Sequence, residues 1–252
     1  MMRGSLILVP NTLDLGAEAQ PLDAVLPAAV LRHAARLTHW AVEDARSARA
    51  FLKRVNEVEP LAGPLQSLDI RELPRPRKGS GELVPAAEWQ ALLAPTAEGH
   101  DLGLLSDAGL PAVADPGAAL VAVAHALGVP VLPLSGPSSL MLALAASGLN
   151  GQSFAFLGYL PQDAMARVAR IREIETTSRR LGQTQLIIET PYRNTALLTS
   201  LCATLAASTR LSVSCGLSLP AGFTFSADVG VWRNRSQTLP DRLPAVFVLL
   251  AG

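Results

Sequence analysis

Three short stretches place carboxylates, arginines and small residues at spacings suited to acid–base work and ligand holding. Glu43-Asp44-Ala45-Arg46 sets two carboxylates beside an arginine, and Glu189-Thr190-Pro191-Tyr192-Arg193 sets a glutamate four residues before another. A positioned carboxylate can take a proton from a reacting hydroxyl. An arginine fork can hold phosphate or carboxylate through paired hydrogen bonds. Glu43, Asp44 and Glu189 are therefore candidate bases, and Arg46 and Arg193 candidate anion holders. The same residues would serve equally as structural ion pairs, Glu43 with Arg46 and Glu189 with Arg193. The third stretch runs Ser106-Asp107-Ala108-Gly109-Leu110-Pro111 and on to Asp115-Pro116-Gly117. Small residues there let backbone approach a ligand, and Asp107 can accept hydrogen bonds from it. Asp115 reads as the N-cap of a helix that begins at Pro116. A further loop, Ser135-Gly136-Pro137-Ser138-Ser139, opens another helix whose first N–H groups suit an anion.

These loops need strands before them and helices after them, and the apolar pattern supplies both. Buried strands are predicted at Ser5–Pro10, His39–Val42, Asp101–Leu105 and Val129–Leu134. Helical spacing covers Pro27–Leu37, a helix capped by Ser47 and running to about Val55, Pro85–Ala94, Pro116–Leu127 and Ser138–Ala146. Alternating strands and helices imply a mostly parallel sheet with helices on its faces, whose ligands bind outside the carboxyl ends of the strands. Residues 56–83 are poorly patterned, and Arg71 to Gly81 reads as a basic surface loop or a flap over an anionic substrate. Gly148-Leu149-Asn150-Gly151 marks a junction, giving domains 1–149 and 150–252. Beyond it come a strand at Phe154–Gly158, a charged helix at Asp163–Leu181, a strand at Gln185–Glu189 and a helix at Asn194–Ala207. Late strands near Leu211–Cys215, Phe223–Val229 and Ala245–Leu250 suggest a mixed second sheet. The fold class is α/β, in two domains.

Composition narrows the functions. The chain has 252 residues, 49% of them hydrophobic and 17% charged, with a formal net charge of zero. That supports a sizeable core and gives no global field to recruit nucleic acid. The charge is nevertheless uneven. Residues 1–150 hold 11 Lys and Arg against 15 Asp and Glu, a net −4; residues 151–252 hold 10 against 6, a net +4. Cys202 and Cys215 have no metal-type spacing and read as reduced, in a cytoplasmic protein. The four histidines form no HExxH pattern, so no metal is expected. Pro116 to Gln162 carries no Asp, Glu, Lys or Arg, but Gly128, Pro130, Pro133, Gly136 and Pro137 divide it too finely for a membrane span. Some of that apolar surface would suit a dimer interface. Dinucleotide and P-loop fingerprints are absent, Leu13-Asp14-Leu15-Gly16 lacks the glycines that would continue a nucleotide loop, and Gly136-Pro137-Ser138-Ser139-Leu140 lacks the last glycine of a nucleophile elbow.

Taken in order, Ser-Asp-Ala-Gly-x-Pro-x-x-x-Asp-Pro-Gly from Ser106, Gly136-Pro137-Ser138-Ser139, Phe154-x-Phe156-x-Gly158-Tyr159-Leu160-Pro161 and Glu189-Thr190-Pro191-Tyr192-Arg193 resemble the tetrapyrrole-methylase superfamily. With Val42-Glu43-Asp44-Ala45-Arg46 they most resemble its branch of small-subunit ribosomal RNA ribose 2′-O-methyltransferases. The resemblance spans nearly the whole chain. It implies two α/β domains with S-adenosyl-L-methionine in a cleft between them, and a homodimer. It implies donor contacts at Leu13, Ser106, Asp107, Ala108, Leu110, Ser138, Ser139 and Ile188. Departures fall where substrate would be read: Pro10-Asn11-Thr12-Leu13-Asp14 in the first loop, Ala45 and Leu110 in place of threonines, and Leu68-Asp69-Ile70-Arg71 in place of a His- and Asn-containing stretch. An RNA acceptor, in rRNA or the ribosomal subunit, is favoured by the basic second domain and by Arg167 and Arg170. A tetrapyrrole or other small acidic acceptor, methylated on carbon, is the alternative; a donor-binding protein without turnover is a third reading.

Overall fold

The computed structural model describes residues 3–14, 20–76, 84–235 and 238–252. They form two compact units, residues 1–137 and 138–252.

The first unit is built on five parallel strands: β1 (Leu6–Val9), β2 (His39–Val42), β3 (Asp69–Glu72), β4 (Leu102–Leu105) and β5 (Val131–Pro133), in the order β3-β2-β4-β1-β5. The central strands are short apolar runs buried on both faces, as a parallel sheet covered by helices requires. One face packs α1 (Ala28–Arg36) and α2 (Ala45–Val58) through Val30, Leu31, Phe51 and Leu52 onto Ile7, Val9 and Trp40. The other packs α5 (Ala118–Ala126) through Leu120 and Ala124, together with Trp89 of α3 (Ala86–Leu92), onto Leu6, Ala41 and Leu104. The short α4 (Ala94–Ala97) follows α3. Because all five strands run the same way, the loops after β1, β2, β3 and β4 leave the same edge of the sheet.

The second unit has the strand order β6-β7-β10-β8-β9, from β6 (Phe154–Phe156), β7 (Thr184–Glu189), β8 (Arg210–Cys215), β9 (Phe223–Asp228) and β10 (Ala245–Leu250). The β6–β7 pair is parallel and the others antiparallel, so the sheet is mixed. On one face, Leu140 and Leu144 of α6 (Ser139–Ser147) meet Leu186, Val246 and Val248. On the other, Ile171 and Ile174 of α7 (Ala164–Leu181), Leu198 and Leu201 of α8 (Asn194–Thr204) and Trp232 of α9 (Val229–Arg233) meet Ile187 and Phe247. Helix α6 packs on this second sheet and so falls in the second unit, one helix before the expected boundary at 149/150.

Three sequence expectations change. Residues 56–83 are not wholly irregular: Asp69–Glu72 form β3, paired with β2 from His39↔Asp69 to Val42↔Glu72. Period-2 alternation cannot show in a four-residue strand carrying Asp, Arg and Glu. The expected loop from Arg71 to Gly81 therefore starts as strand, and its residues 77–81 lie outside those described. Ser47 does not cap α2. Asp44 does, accepting the N–H groups of Arg46 at 3.0 Å and Ser47 at 2.8 Å. Nor does Asp115 cap a helix at Pro116: α5 begins at Ala118, with Gly117 as its N-cap at φ 126°, a conformation that favours glycine. The uncharged stretch 116–162 resolves into helix, strand, helix and strand, and no described helix is long and apolar enough to cross a membrane.

Candidate functional site

Four loops at the carboxyl edge of the first sheet are tied together around Asp107. The Asn11 amide donates to the carbonyls of Ser106 at 3.1 Å and Asp107 at 3.0 Å, and the Asn11 N–H donates to the Gly109 carbonyl at 2.8 Å. Glu43, at the end of β2, accepts the Asp107 N–H on its Oε2 at 3.2 Å. The Ser47 hydroxyl donates to Asp107 Oδ1. Behind β3, Glu72 accepts the Ala45 N–H at 3.0 Å, while Arg75 donates to the Glu43 carbonyl at 2.9 Å. Asp107 is thus held by its backbone and by one carboxylate oxygen, while Oδ2 takes no bond from the described residues. The N–H groups of Ala108 and Leu110 are likewise without partners among the described residues, and Ser106 Oγ is buried with none.

The loop itself is bent unusually. Ala112 and Ala114 hold φ of 65° and 64°, and Gly109 one of 68°. Two alanines in the left-handed region are uncommon, and such backbone tends to be stored at functional sites.

Two cavities flank this loop. One, about 300 Å³, is lined by Asn11, Thr12, Asp14, Arg46, Arg54 and Asp107, with Phe51 and Ala50 among its other walls. Arg54 pairs with Asp14 at 3.0 Å, so one of its two arginines is already neutralised. Arg46 has no ion pair among the described residues, so the alternative of a Glu43–Arg46 pair is not realised. The other cavity, about 490 Å³, is lined by Glu43, Leu73, Arg75, Trp89, Asp115 and Pro116, among others.

The carboxylates here differ in character. Burial raises the Glu43 carboxyl above the usual range, opposed by the Asp107 N–H bond and aided by the Asp107 charge. The Ser47 N–H, with that of Arg46, holds the Asp44 carboxyl below its ordinary value. Burial pushes Asp115 up to about 7, reinforced by Glu43 and Asp107. Of the two candidate bases after β2, Glu43 is consequently the better proton acceptor, and Asp44 is committed to the helix.

In the second unit, Glu189 and Arg193 form the anticipated ion pair at 2.6 Å, with Glu189 also accepting the Thr190 N–H at 2.7 Å. The Arg193 guanidinium lies 5.8 Å from the Tyr192 ring centroid, and Tyr192 is exposed. Ser138 is the N-cap residue of α6 but its side chain makes no capping bond; Ser139 begins the helix. The Ile188 side chain packs against the core beneath α6. Leu13, in the first unit, is buried, and a Cβ on Gly109 would come within 3.3 Å of its Cδ2. Arg167 donates to Ser200 Oγ and the Gln162 carbonyl, and Arg170 pairs with Glu173 at 2.7 Å, so both have intramolecular partners. No group of metal-binding side chains forms among the described residues.

The sequence places Asn11 in a strand-end loop where substrate would be read and Arg75 in the basic loop or flap from Arg71, but gives neither its partner in the site. Ser47 reads only as a helix cap, and its bond to Asp107 is the feature that the sequence does not show.

A pair of α/β units, one with a parallel five-stranded sheet and one with a mixed sheet, is the class of fold that these elements define. The whole chain is similar to a solved structure of the methyltransferase CobJ, with TM-score 0.55 and 15% identity over 99% of this chain and 100% of that one. Part of the chain is homologous to proteins named ribosomal RNA small subunit methyltransferase I. It is 41% identical over 104 residues to that of Vibrio cholerae, covering 41% of this chain and 35% of the relative, and 41% identical over 108 residues to that of Micromonospora olivasterospora, covering 43% and 33%. The matching segments thus span about a third of those relatives' lengths. No family model matches the chain.

Proposed function

We propose that this chain is an S-adenosyl-L-methionine-dependent methyltransferase that modifies a ribose 2′-oxygen of small-subunit ribosomal RNA, as a cytoplasmic homodimer. The observation that carries the reading is the 41% identity over 104 residues to the Vibrio cholerae rRNA methyltransferase. The loop after β4 is the second support. S-adenosylmethionine brings an electrophilic methyl group together with ribose hydroxyls, an ammonium and a carboxylate. The unbonded Asp107 Oδ2 fits hydroxyl or ammonium donors, and the partnerless N–H groups of Ala108 and Leu110 fit acceptors. Leu13 and Ser106 complete this set in the first unit. Ser138, Ser139 and Ile188 are the donor contacts proposed for the second.

Catalysis then rests on alignment and on removal of one proton. Glu43, raised by burial and fixed by the Asp107 N–H, is the proposed base for the acceptor hydroxyl. Arg46, exposed and free of ion pairs among the described residues, is the proposed holder of the neighbouring phosphate. Glu189 and Arg193 hold each other and would orient substrate through the exposed Tyr192 beside them.

The test is calorimetric titration with S-adenosylmethionine and S-adenosylhomocysteine on wild type and Asp107→Ala, followed by labelled methyl transfer to small-subunit rRNA. Saturable binding, weakened about tenfold or more by the substitution, and label in ribose are expected. Absence of donor binding to the folded chain would overturn the reading. Label in a tetrapyrrole instead of RNA would overturn the acceptor alone.

A further inference from the structure

A third cavity, about 270 Å³, opens at the opposite edge of the first sheet, where the parallel strands begin. Helix α1 ends there just before β2, and the turn Gly99-His100-Asp101 ends there just before β4. The two strands are neighbours, with His39 in register with Leu102, so segments distant in sequence share one wall. The polar side chains lining the cavity are His33, Arg36, Thr38, His100 and Asp101. None of them takes part in the methyl-transfer site described above.

The histidines are informative. The chain has four. His33 and His100 line this cavity, and His39 stacks on His100 with ring centroids 5.0 Å apart and planes 30° apart. Among the described residues they form no group suited to a metal ion. What gathers here is a set of hydrogen-bond donors. An imidazole keeps at least one N–H whether charged or neutral, and Arg36 adds a planar fork of them.

These donors are not consumed by the fold. The end of α1 is already satisfied by backbone: the Leu37 N–H donates to the Ala34 carbonyl at 3.3 Å and the Ala62 N–H to the Ala35 carbonyl at 2.8 Å. The side chains of His33 and Arg36 form no hydrogen bond or ion pair with the described residues. A helix dipole favours basic residues in a last turn, but that preference does not bring His100 in from a second segment. The carboxylate in the wall, Asp101, is tied to backbone, its Oδ1 accepting the Ser5 N–H at 2.7 Å. The turn that carries His100 is pinned in place. Its N–H donates to the Pro95 carbonyl at 3.0 Å, and a Cβ on Gly4 would come within 1.9 Å of its carbonyl oxygen. That wall is therefore set before any ligand arrives, which lowers the cost of binding one.

Donors on separate segments around one small space suit an anion with oxygens on several sides. A carboxylate offers two oxygens in one plane. A phosphate carries its oxygens tetrahedrally, so a guanidinium fork and an imidazole can approach from different directions. The cavity lies just below the roughly 300–1,000 Å³ of sites for whole small molecules, as a site for a single group would. We propose that it is a phosphate-binding site, with Arg36 gripping two oxygens and His33 and His100 donating to the phosphate from their separate segments. Two sources share this chemistry: a free phosphate or phosphomonoester, and the backbone phosphate of a bound RNA. The inference stands on this donor set and not on the methyltransferase reading.

The test uses the full chain at fixed pH and ionic strength, following the imidazole C–H signals by NMR, with the signals assigned through single His→Gln variants. Inorganic phosphate should shift His33 and His100 saturably. His125, at the end of α5 and outside this cavity, is the internal reference and should stay in place. Acetate should bind about fivefold more weakly or worse. Arg36→Gln and His100→Gln change exposed side chains, and circular dichroism checks that both fold. Each should weaken phosphate binding about tenfold, while S-adenosylmethionine affinity stays within about twofold. A short single-stranded RNA without terminal phosphates separates the sources. RNA that shifts the same signals, and does so more weakly in Arg36→Gln, supports the site and assigns it to nucleic-acid backbone. Phosphate acting where RNA does not supports the site and assigns it to a free phosphate or monoester. No saturable shift, acetate acting as strongly as phosphate, or phosphate binding untouched by both substitutions would overturn the proposal.

Discussion

Glu43 Oε2 accepts the backbone N–H of Asp107 at 3.2 Å, so the loop after β2 is latched to the loop after β4, its neighbour in the sheet. The same glutamate is the proposed base, and one side chain therefore serves two purposes that substitutions can separate. Glu43→Gln keeps an acceptor for the Asp107 N–H but cannot take a proton. It is expected to leave S-adenosylmethionine affinity within about twofold while lowering kcat by roughly 10²–10⁴. Glu43→Ala loses the latch as well and should weaken both. Equal loss of donor affinity in the two variants, seen by calorimetry, would show that the latch does not survive in the amide.

Asp44 stands next to that base but is engaged with the first turn of α2. Asp44→Ala removes an N-cap and should lower the melting temperature of the first unit by roughly 3 °C, while kcat below that transition stays within about threefold. Asp44→Ser, which can still cap, should recover the melting temperature. A fall in kcat of a hundredfold in both variants would instead place Asp44 among the reacting groups.

Breaking the Glu189–Arg193 pair at 2.6 Å should be costly, because Glu189 is 8% exposed and Arg193 is the cation that pairs with it. Arg193→Ala is expected to destabilise the second unit by about 2–4 kcal/mol, and the double variant with Glu189→Gln by less than Arg193→Ala alone. Trp232, buried in that unit, reports its unfolding in urea through fluorescence. Simple additivity of the two changes would mean that the residues do not couple.

Asp115 sets a pH dependence whose sign is fixed by its surroundings. Burial, with Glu43 and Asp107 pressing the same way, raises its carboxyl from the ordinary 3.8 to about 7 in the folded chain. Between those values the folded state holds a proton that the unfolded state has lost, so stability falls as pH rises from about 4 to 7. The raised Glu43 slopes in the same direction. Asp44, held low, titrates below this window and contributes stability that is lost on acidification. Asp115→Asn should therefore flatten the decline and be more stable than wild type at pH 8, measured by urea unfolding at several pH values. A slope unchanged by the substitution would assign it to Glu43 and the rest of the chain.

Much of the fold was readable because its strongest signals are local. Apolar runs such as Leu6–Val9 and Ala245–Leu250 lie where strands were expected, and Asp163 heads the charged helix as anticipated. What escaped was decided by partners distant in sequence. β3 is strand because β2 pairs with it, not because Asp-Ile-Arg-Glu favours extension. Ser47 reads as a cap in isolation, yet its hydroxyl goes to Asp107, 60 residues away. Asp115 before a proline has the look of a cap, but Gly117, able to hold φ 126°, starts the helix two residues later and leaves the carboxyl at a cavity wall. Loop residues were thus recognisable as polar and closely spaced, whereas their pairings required the sheet order.

The order β3-β2-β4-β1-β5 also leaves two margins open to the addition of another strand. One margin, β3, is four residues long with Asp69 and Arg71 paired at 2.8 Å across its exposed side. The other, β5, is three residues long and ends in Pro133, which has no N–H to offer. Short length, charge and proline are the means by which natural sheets discourage runaway strand addition. The first unit should therefore stay free of fibrillar association at high concentration, and replacing Pro133 and Arg71 together by valine is the change most apt to turn its rims adhesive.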